Sequence, residues 1–541
     1  MSIALNGKRL AVKLLSAACA LLMIGGCSAA PSASSAPPAS APAEGQATPA
    51  PAEERVTLSI ATNENYYAAA SFAQDLPVFK IMEDAVNVTL KWEVTPGDQY
   101  GTVMNTRLAA GTDLPDIINM RASDPTACGA NGTVIALEGL VNEQNSPNFL
   151  KFIEKYPIFK KLLYSSDGHM YYLSGYRGKA ELEGDCYGFA VRQDWLERLN
   201  LQKPTSLQEM ENVLIAFRDQ DANGNGDATD EMPLCLKADD IRLLGMSFGL
   251  DIGTTDFVAS PEGKLSYAYI TDNYKGMLQF ANKLYTEKLL DPEYATITDD
   301  QIMSKEGRNL VGMCDTWGSS TVSINELIKK NGDANAHFVM LFPLTGLDGT
   351  KGHVTTFGMQ DGQMSISKDC KYPDRALRFL DYLIYNDDAT YLNNVGIKDQ
   401  TYTLGSNGEI VFTDFVMKNP NGLSPMEALR SVGAYHTMPF ICLAEGRYAM
   451  NASIPGQNEF ARQMAPYIND RIEFSPSTAD EATQLSALST DIKTAVLEWE
   501  FKFISGEVSF DQWDAYVSAI KALNVDKMVE IWQAKYDRVN K

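Results

Sequence analysis

Residues Arg192 to Pro233 read RQDWLERLNLQKPTSLQEMENVLIAFRDQDANGNGDATDEMP. A helical span here runs into a loop rich in acids, amides and glycine. A calcium loop needs glycine at its sixth position for the sharp turn, and two registers meet that condition. The first begins at Asp219, passes Asp221, Asn223 and Gly224, and ends on Asp230, which is short for a place that usually needs a bidentate Glu. The second begins at Asp221 and continues through Asn223, Asn225 and Gly226 to the Asp227 carbonyl, with Asp230 and Glu231 closing the site. The second is preferred. Every donor in it is an oxygen, which suits Ca²⁺ with its roughly six to eight oxygen ligands better than Mg²⁺. The plain alternative is a solvated acidic turn.

Four pieces of this stretch carry a family resemblance: Arg192–Leu196 (RQDWL), Lys203-Pro204-Thr205, the helix ending at Phe217, and the run DANGNGDATDEMPL. They resemble the matching segment of the bacterial extracellular solute-binding proteins of family 1, the receptor subunits of ABC importers. The likeness is to the lipoprotein branch that includes alginate-oligosaccharide binders. It implies a structural calcium ion at the loop, although the loop is one residue longer before its acidic pair than the commonest family form.

With 541 residues the chain exceeds one compact core, because ~100 to 200 residues per domain makes two to four domains the prior. Its 45% hydrophobic and 21% charged content is that of an ordinary globular protein. The formal charge is -23, and residues 1–26 hold Lys8, Arg9 and Lys13 with no acid, so their removal makes it more negative still. So acidic a chain repels a phosphate backbone, and it has no basic run to offset this; no nucleic acid partner is expected.

Residues 1–26 combine a basic start with the apolar run LLSAACALLMI, too short for a permanent span, and read as a secretory signal. Ile24-Gly25-Gly26-Cys27 resembles a bacterial lipobox, which makes Cys27 the lipid anchor. Acyl chains hold a protein by ~0.8 kcal/mol per buried methylene. Ser28 to Glu54 lacks aromatic and long aliphatic side chains, so it cannot form a core and reads as a disordered tether. Beyond Cys19 and Cys27, six cysteines remain at wide spacings with no CxxC pair. Isolated buried thiols are expected rather than a disulfide framework.

Val56–Ile60 alternates as a strand, a helical segment reaches Met82, and a second strand lies near Val88–Trp92, which is a βαβ opening. Parallel sheets bind ligands beyond the carboxyl ends of their strands, which nominates Asn63, Glu64, Asn65, Tyr66 and Tyr67. The run GTDLPDII at Gly111–Ile118 resembles the same receptor family, with Met120, Arg121 and Asp124 beyond its strand. Tyr176 and Arg177 follow a short strand, and Arg177 suits a hydroxyl or carboxylate. Val311–Gly318 is a strand emerging at Trp317, where maltose-binding relatives place a tryptophan that stacks on sugar. The apolar C–H faces of a pyranose lie flat on such a ring. For any of these polar residues a capping role is about as expected as ligand contact, and for Trp317 a core role. Resemblance extends from about Val56 to Lys541 and is strong again in KFISGEVSFDQWDAYVSAIKALNVDKMVEIWQAKYDRVNK; Asn419–Ala479 fits least.

The resemblance implies an α/β, two-lobed periplasmic-binding-protein-like (Venus flytrap) fold with a lipidated N-terminal tether. The expected division is a signal peptide at 1–26 and an anchor with linker at 27–55. An N-terminal lobe follows at 56–173 plus 344–393, and a C-terminal lobe at 174–343 plus 394–541 carries the calcium loop. The expected function is capture of an oligosaccharide by a monomer that delivers it to an ABC permease with a separate ATPase, touching the membrane through its lipid alone. A peptide or other solute receptor of the same fold is the alternative, or a secreted polysaccharide-degrading enzyme. No HExxH, G-x-S-x-G or Walker motif is present, and His169, His337, His353 and His436 have no metal spacing. Paired carboxylates meeting from distant positions are the remaining route to catalysis.

Overall fold

The structure is a computed structural model that describes residues 53–541 apart from Tyr66, 178–185, 253–254, 357–359 and 454–455. These residues fall within a single unit, Glu53–Lys541. The chain up to residue 52, with Cys27, the expected signal and the expected tether apart from its last residues 53–55, lies outside the described residues.

Val56–Asn63 begins a five-stranded sheet and is buried on both faces from Ile60 onward, Leu58 and Ile60 packing into one cluster and Ala61 into another. It pairs in parallel with Val88–Thr95 along its whole length and with Ile117–Asn119 on its other flank. Gln360–Ile366 returns antiparallel beside Ile117–Asn119, and Leu173–Tyr176 closes the sheet. Pro77–Ala85 starts with proline at its first turn, where the missing N–H costs nothing, and buries Val78, Phe79 and Met82. The amphipathic helix Pro373–Tyr385 buries Leu377, Phe379, Leu380 and Leu383 in the same core.

A second sheet has the order Phe338–Met340, Tyr187–Arg192, Val311–Trp317, Met232–Cys235. Leu207–Asp219, capped by the Ser206 side chain, packs on it. The approach is close enough that a Cβ on Gly312 would lie 2.5 Å from the Phe217 ring and 2.8 Å from that of Trp195. Asp272–Thr286 and the long Ala479–Ser505, which opens with a capping box from Thr478 and Glu481, extend this core, and Trp513–Ala522 and Val525–Asn540 complete it. Phe338–Met340 is an edge strand of this sheet, antiparallel to Tyr187–Arg192.

The two sheets stand over separate cores. The first takes in Tyr402, Phe412, Val416, Leu429, Met438 and Met450 as well. This differs from the expected division, which gave everything after 393 to the other lobe. The physical reason is local: the helix Asp387–Val395 turns back at Gly396, and the hairpin of Tyr402–Leu404 with Ile410–Phe412 folds onto the lobe it has just left.

Irregular chain covers one edge of each sheet. Phe440 and Cys442 bond to both sides of Tyr176 (3.1 and 2.8 Å), and a Cβ on Gly175 would lie 2.3 Å from the Phe440 carbonyl. Leu289 and Asp291 do the same for Leu234 (both 2.9 Å). Among the described residues the six cysteines form no disulfide, and five of them are buried.

Arg192 is fully buried at the end of its strand. Its guanidinium donates to Asp194 at 2.8 and 2.7 Å, to Asp333 at 3.1 Å and to Asn309, and lies over the rings of Trp195 and Phe338. Asp194 in turn accepts from the His337 N–H at 3.1 Å. Removing one partner strands a buried charge, so Asp194→Ala is expected to lower unfolding free energy by about 3–5 kcal/mol. Urea titration measures this, and a loss below about 1 kcal/mol, the value of an exposed pair, would mean that Arg192 is not held by Asp194.

Candidate functional site

A cavity of about 780 Å³ lies where the two sheets' loops meet, within the roughly 300–1,000 Å³ usual for small-molecule sites. Trp317, at the carboxyl end of its strand, forms one wall with Ser319, Ser320, Ser323 and Glu326, which begin the helix Ser320–Lys330. The opposite wall comes from 417–450, chiefly Met417, Arg430, Tyr435, His436, Phe440 and Arg447, and Arg177 lines it just beyond Leu173–Tyr176.

Tyr435 has φ +52°, a left-handed conformation that a bulky side chain adopts only when its surroundings impose it. Its N–H donates to the Asn393 carbonyl at 2.7 Å, and the Arg447 guanidinium lies 4.2 Å from its ring centre. His436 is buried against Phe72, Phe79 and Phe440. Its Nδ1 accepts from the Met438 N–H at 3.2 Å, so Nε2 carries the proton and donates to Asn393 Oδ1 at 2.8 Å. Burial pushes its pKa down to about 3. Glu427 closes a capping box with Ser424, accepting from its N–H and hydroxyl.

Two of the expected ligand residues, Arg177 and Trp317, line this cavity. Asn63, Glu64 and Asn65 knit the turn after the first strand: Asn63 donates to the Glu64 carbonyl, Glu64 accepts from the Asn65 N–H and the Ser71 hydroxyl, and Asn65 donates to the Ala70 carbonyl. Arg121 is exposed beyond the short strand Ile117–Asn119. Asp124 caps the helix Pro125–Ala130, accepting from the Thr126 N–H at 2.8 Å. Tyr176 packs among Phe152, Tyr156 and Phe159. Tyr66 lies outside the described residues.

The acidic loop folds around its own carboxylates. Asp221 accepts from the N–H groups of Asn225 and Gly226 at 3.0 and 2.9 Å, and Gly226 supplies the φ of +93° that the turn needs. The side-chain amides of Asn223 and Asn225 rest on Asp230 at 2.9 and 2.8 Å. The Asp227 side chain accepts from Thr229 instead of facing this group. Glu231 accepts from the Ala222 N–H through one oxygen, while its other oxygen is buried with no hydrogen-bond partner, and burial raises its pKa. Among the described residues, no three His, Cys, Asp or Glu side chains close on a common point.

No protein-family model matches the chain. It is 27% identical over 320 residues to the fructooligosaccharide ABC transporter substrate-binding protein FusA of Streptococcus pneumoniae, covering 57% of each chain. It is 25% identical over 370 residues to the lipoprotein LipO of Bacillus subtilis, covering 65% of this chain and 68% of that one. Among solved structures, FusA with kestose superposes at a TM-score of 0.70 with 22% identity over 89% of this chain and 99% of that one. The alginate-binding protein AlgQ2 without calcium ion does so at 0.71 with 21% identity over 90% and 98%. This is the two-lobed fold of the ABC-transporter solute-binding proteins. The chain spans little more than half of FusA's length in the sequence match, and nearly all of it in the structural one.

The neutral state of His436 has a measurable consequence. Its folded pKa lies below the ordinary 6.5, so the unfolded chain takes up this proton first as pH falls. The stability this group contributes is complete above 6.5 and drains away between there and about 3. In NMR spectra its ring resonances are expected not to move between pH 8 and pH 5. A titration midpoint above 5 would show that water reaches the ring.

Proposed function

We propose that this chain is an extracytoplasmic receptor that captures an oligosaccharide between its lobes and delivers it to an ABC permease driven by a separate ATPase. The observation that carries this reading is the cavity with Trp317 on one lobe's strand end and the 417–450 wall on the other. A ligand touching both walls favours the closed state by its difference in affinity for the two conformations, and a permease reads that shape. FusA is named as a fructooligosaccharide-binding protein, which supports a sugar. Catalysis finds no support in the cavity, where Glu427, one of two glutamates, is engaged in a helix cap. A lipoprotein among the relatives supports anchoring through Cys27, and no helix among the described residues is long and apolar enough to cross a membrane. The working unit in this reading is a monomer without nucleic acid.

The acidic loop fits a structural calcium ion in donor chemistry. Asp221, Asn223, Asn225, Asp230 and Glu231 would hold it with the Asp227 carbonyl, and the partnerless buried Glu231 oxygen is the vacancy in hydrogen bonding that a cation satisfies. A FusA structure described as an EF-hand mutant supports this assignment. Turning the amides of Asn223 and Asn225 over would bring oxygens toward Asp230, an orientation that follows from whatever those amides bond to. Chelation is therefore expected to lower the melting temperature without abolishing folding, and Asp221→Ala to do the same. An unchanged melting curve in excess chelator, with no metal found by elemental analysis, would leave the solvated turn as the better account.

A thermal-shift screen against oligosaccharides and peptides tests the function, since a ligand that binds only the folded state raises its melting temperature. With a ligand in hand, Trp317→Ala is expected to weaken binding roughly ten- to hundredfold at little cost in stability. A core tryptophan would instead lose about 3–5 kcal/mol of stability on truncation. A large drop in melting temperature with near-native affinity would remove Trp317 from the site.

A further inference from the structure

Behind Trp317 lies a group of ionisable side chains that sequence reading did not single out. Tyr187 is the register partner of Trp317 across the antiparallel pair of strands, and their ring centres are 5.3 Å apart. Directly opposed residues of such a pair share one face of the sheet, and Asp315, two residues before Trp317, shares it too. The Tyr187 hydroxyl bonds to the Asp315 carboxyl group and lies 3.3 Å from Asp240 Oδ1. One phenol proton thus meets two carboxyl groups, and a hydroxyl donates one hydrogen at a time.

We infer that Tyr187, held between Asp315 and Asp240, is a positioning residue that fixes the Trp317 ring plane, and that a proton on Asp315 completes this support and so couples ligand affinity to pH. The inference rests on the reading of Trp317 as a ligand-stacking residue.

With Asp315 protonated, its O–H donates to the phenol oxygen and the phenol donates to Asp240, so the hydroxyl is held from both sides. Loss of that proton leaves two like charges at one hydroxyl, which can serve only one of them. Lys237 decides which acid is neutralised. Its Nζ lies 3.5 Å from Asp240 Oδ2 and 2.6 Å from Asp299 Oδ1, so the positive charge stands beside Asp240. Burial, and after it the charge of Asp240, pushes the Asp315 pKa up to about 6. A neighbouring acid is raised as well: Glu306, pushed up to about 7 by burial, bonds to Cys314, the neighbour of Asp315 in the strand. Successive side chains point to opposite faces, so Glu306 meets the strand from the other side.

The sign follows from the raised pKa. Support for Trp317 is complete below about pH 5 and declines as pH rises through about 6. A lost hydrogen bond is worth a factor of roughly two to ten, so affinity is expected to fall by that much between pH 5 and pH 7.5.

The test uses the full chain with ¹⁵N-labelled tryptophan, the Trp317 indole signal being assigned by its absence in Trp317→Phe. In the unaltered protein this signal should shift with a midpoint near pH 6. Glu306→Gln should leave the transition in place, while Asp315→Asn, which keeps a donor toward the phenol and cannot ionise, and Tyr187→Phe should abolish it. Binding of kestose and of tri-galacturonate, measured by calorimetry at the two pH values, supplies the second readout. Asp315→Asn should bind at pH 7.5 as the unaltered protein does at pH 5, and Tyr187→Phe should bind weakly at both. An indole signal that does not titrate, or that titrates unchanged in Asp315→Asn, overturns the inference whatever the ligand. So does an affinity independent of pH in a protein whose Trp317→Ala variant binds weakly. If the indole titrates as described but Trp317→Ala binds normally, the positioning of the ring is supported and the reading of Trp317 as a ligand contact falls.

Discussion

The second lobe depends on a single guanidinium. Arg192 ends the central strand Tyr187–Arg192, and its partners come from the helix that follows, from the loop before Val311–Trp317 and from the loop before Phe338–Met340. Two of those are places where the chain enters the strands that flank it, and the third is where it leaves its own. A charge buried without partners is far more costly than one that is paired, so every segment that completes its shell is fixed relative to the others. Hydrophobic packing alone does not set such a register, since aliphatic contacts tolerate sliding that directional bonds do not. Trp317 lies at the far end of the strand so aligned, and its placement inherits that alignment.

The other wall of the cavity is held by different means. Phe440–Cys442 joins the edge of the first sheet along Tyr176, Tyr435 is pinned in a left-handed conformation by Asn393, and His436 is locked by the same residue's amide oxygen. Asn393 itself is fully buried and donates to the Leu383 carbonyl. The wall is therefore anchored to the core of its own lobe through one asparagine.

Much of the architecture was legible in the sequence because it is local. The βαβ opening and the helix Leu207–Asp219 follow from periodicity and caps. The strand end at Trp317 was legible for the same reason. Asn63, Glu64, Asn65 and Asp124 show the limit of that approach: polar residues after a strand serve equally as turn and cap, and only three-dimensional partners distinguish the roles. The segment 417–450 was illegible for a further reason. Its short helices, Asp414–Met417, Pro425–Ser431 and Ala444–Met450, give little periodic signal, and its contacts are to residues such as Tyr176 and Asn393 that are distant in the chain. Tyr187 was missed likewise, since its partners Asp240 and Asp315 lie 53 and 128 residues away.

The covered sheet edges bear on how the protein behaves when many copies are crowded together. An exposed strand edge is a template on which another chain can extend the sheet. Here Phe440–Cys442 and Leu289–Asp291 occupy one edge of each sheet. Of the edges left in the two large sheets, one is the three-residue strand Phe338–Met340, and the other, Val88–Thr95, displays Lys91 and Glu93. Short length and charge are the devices that discourage edge-to-edge growth. Neither of the two large sheets therefore offers molecules packed side by side a long, uncharged edge on which to extend it.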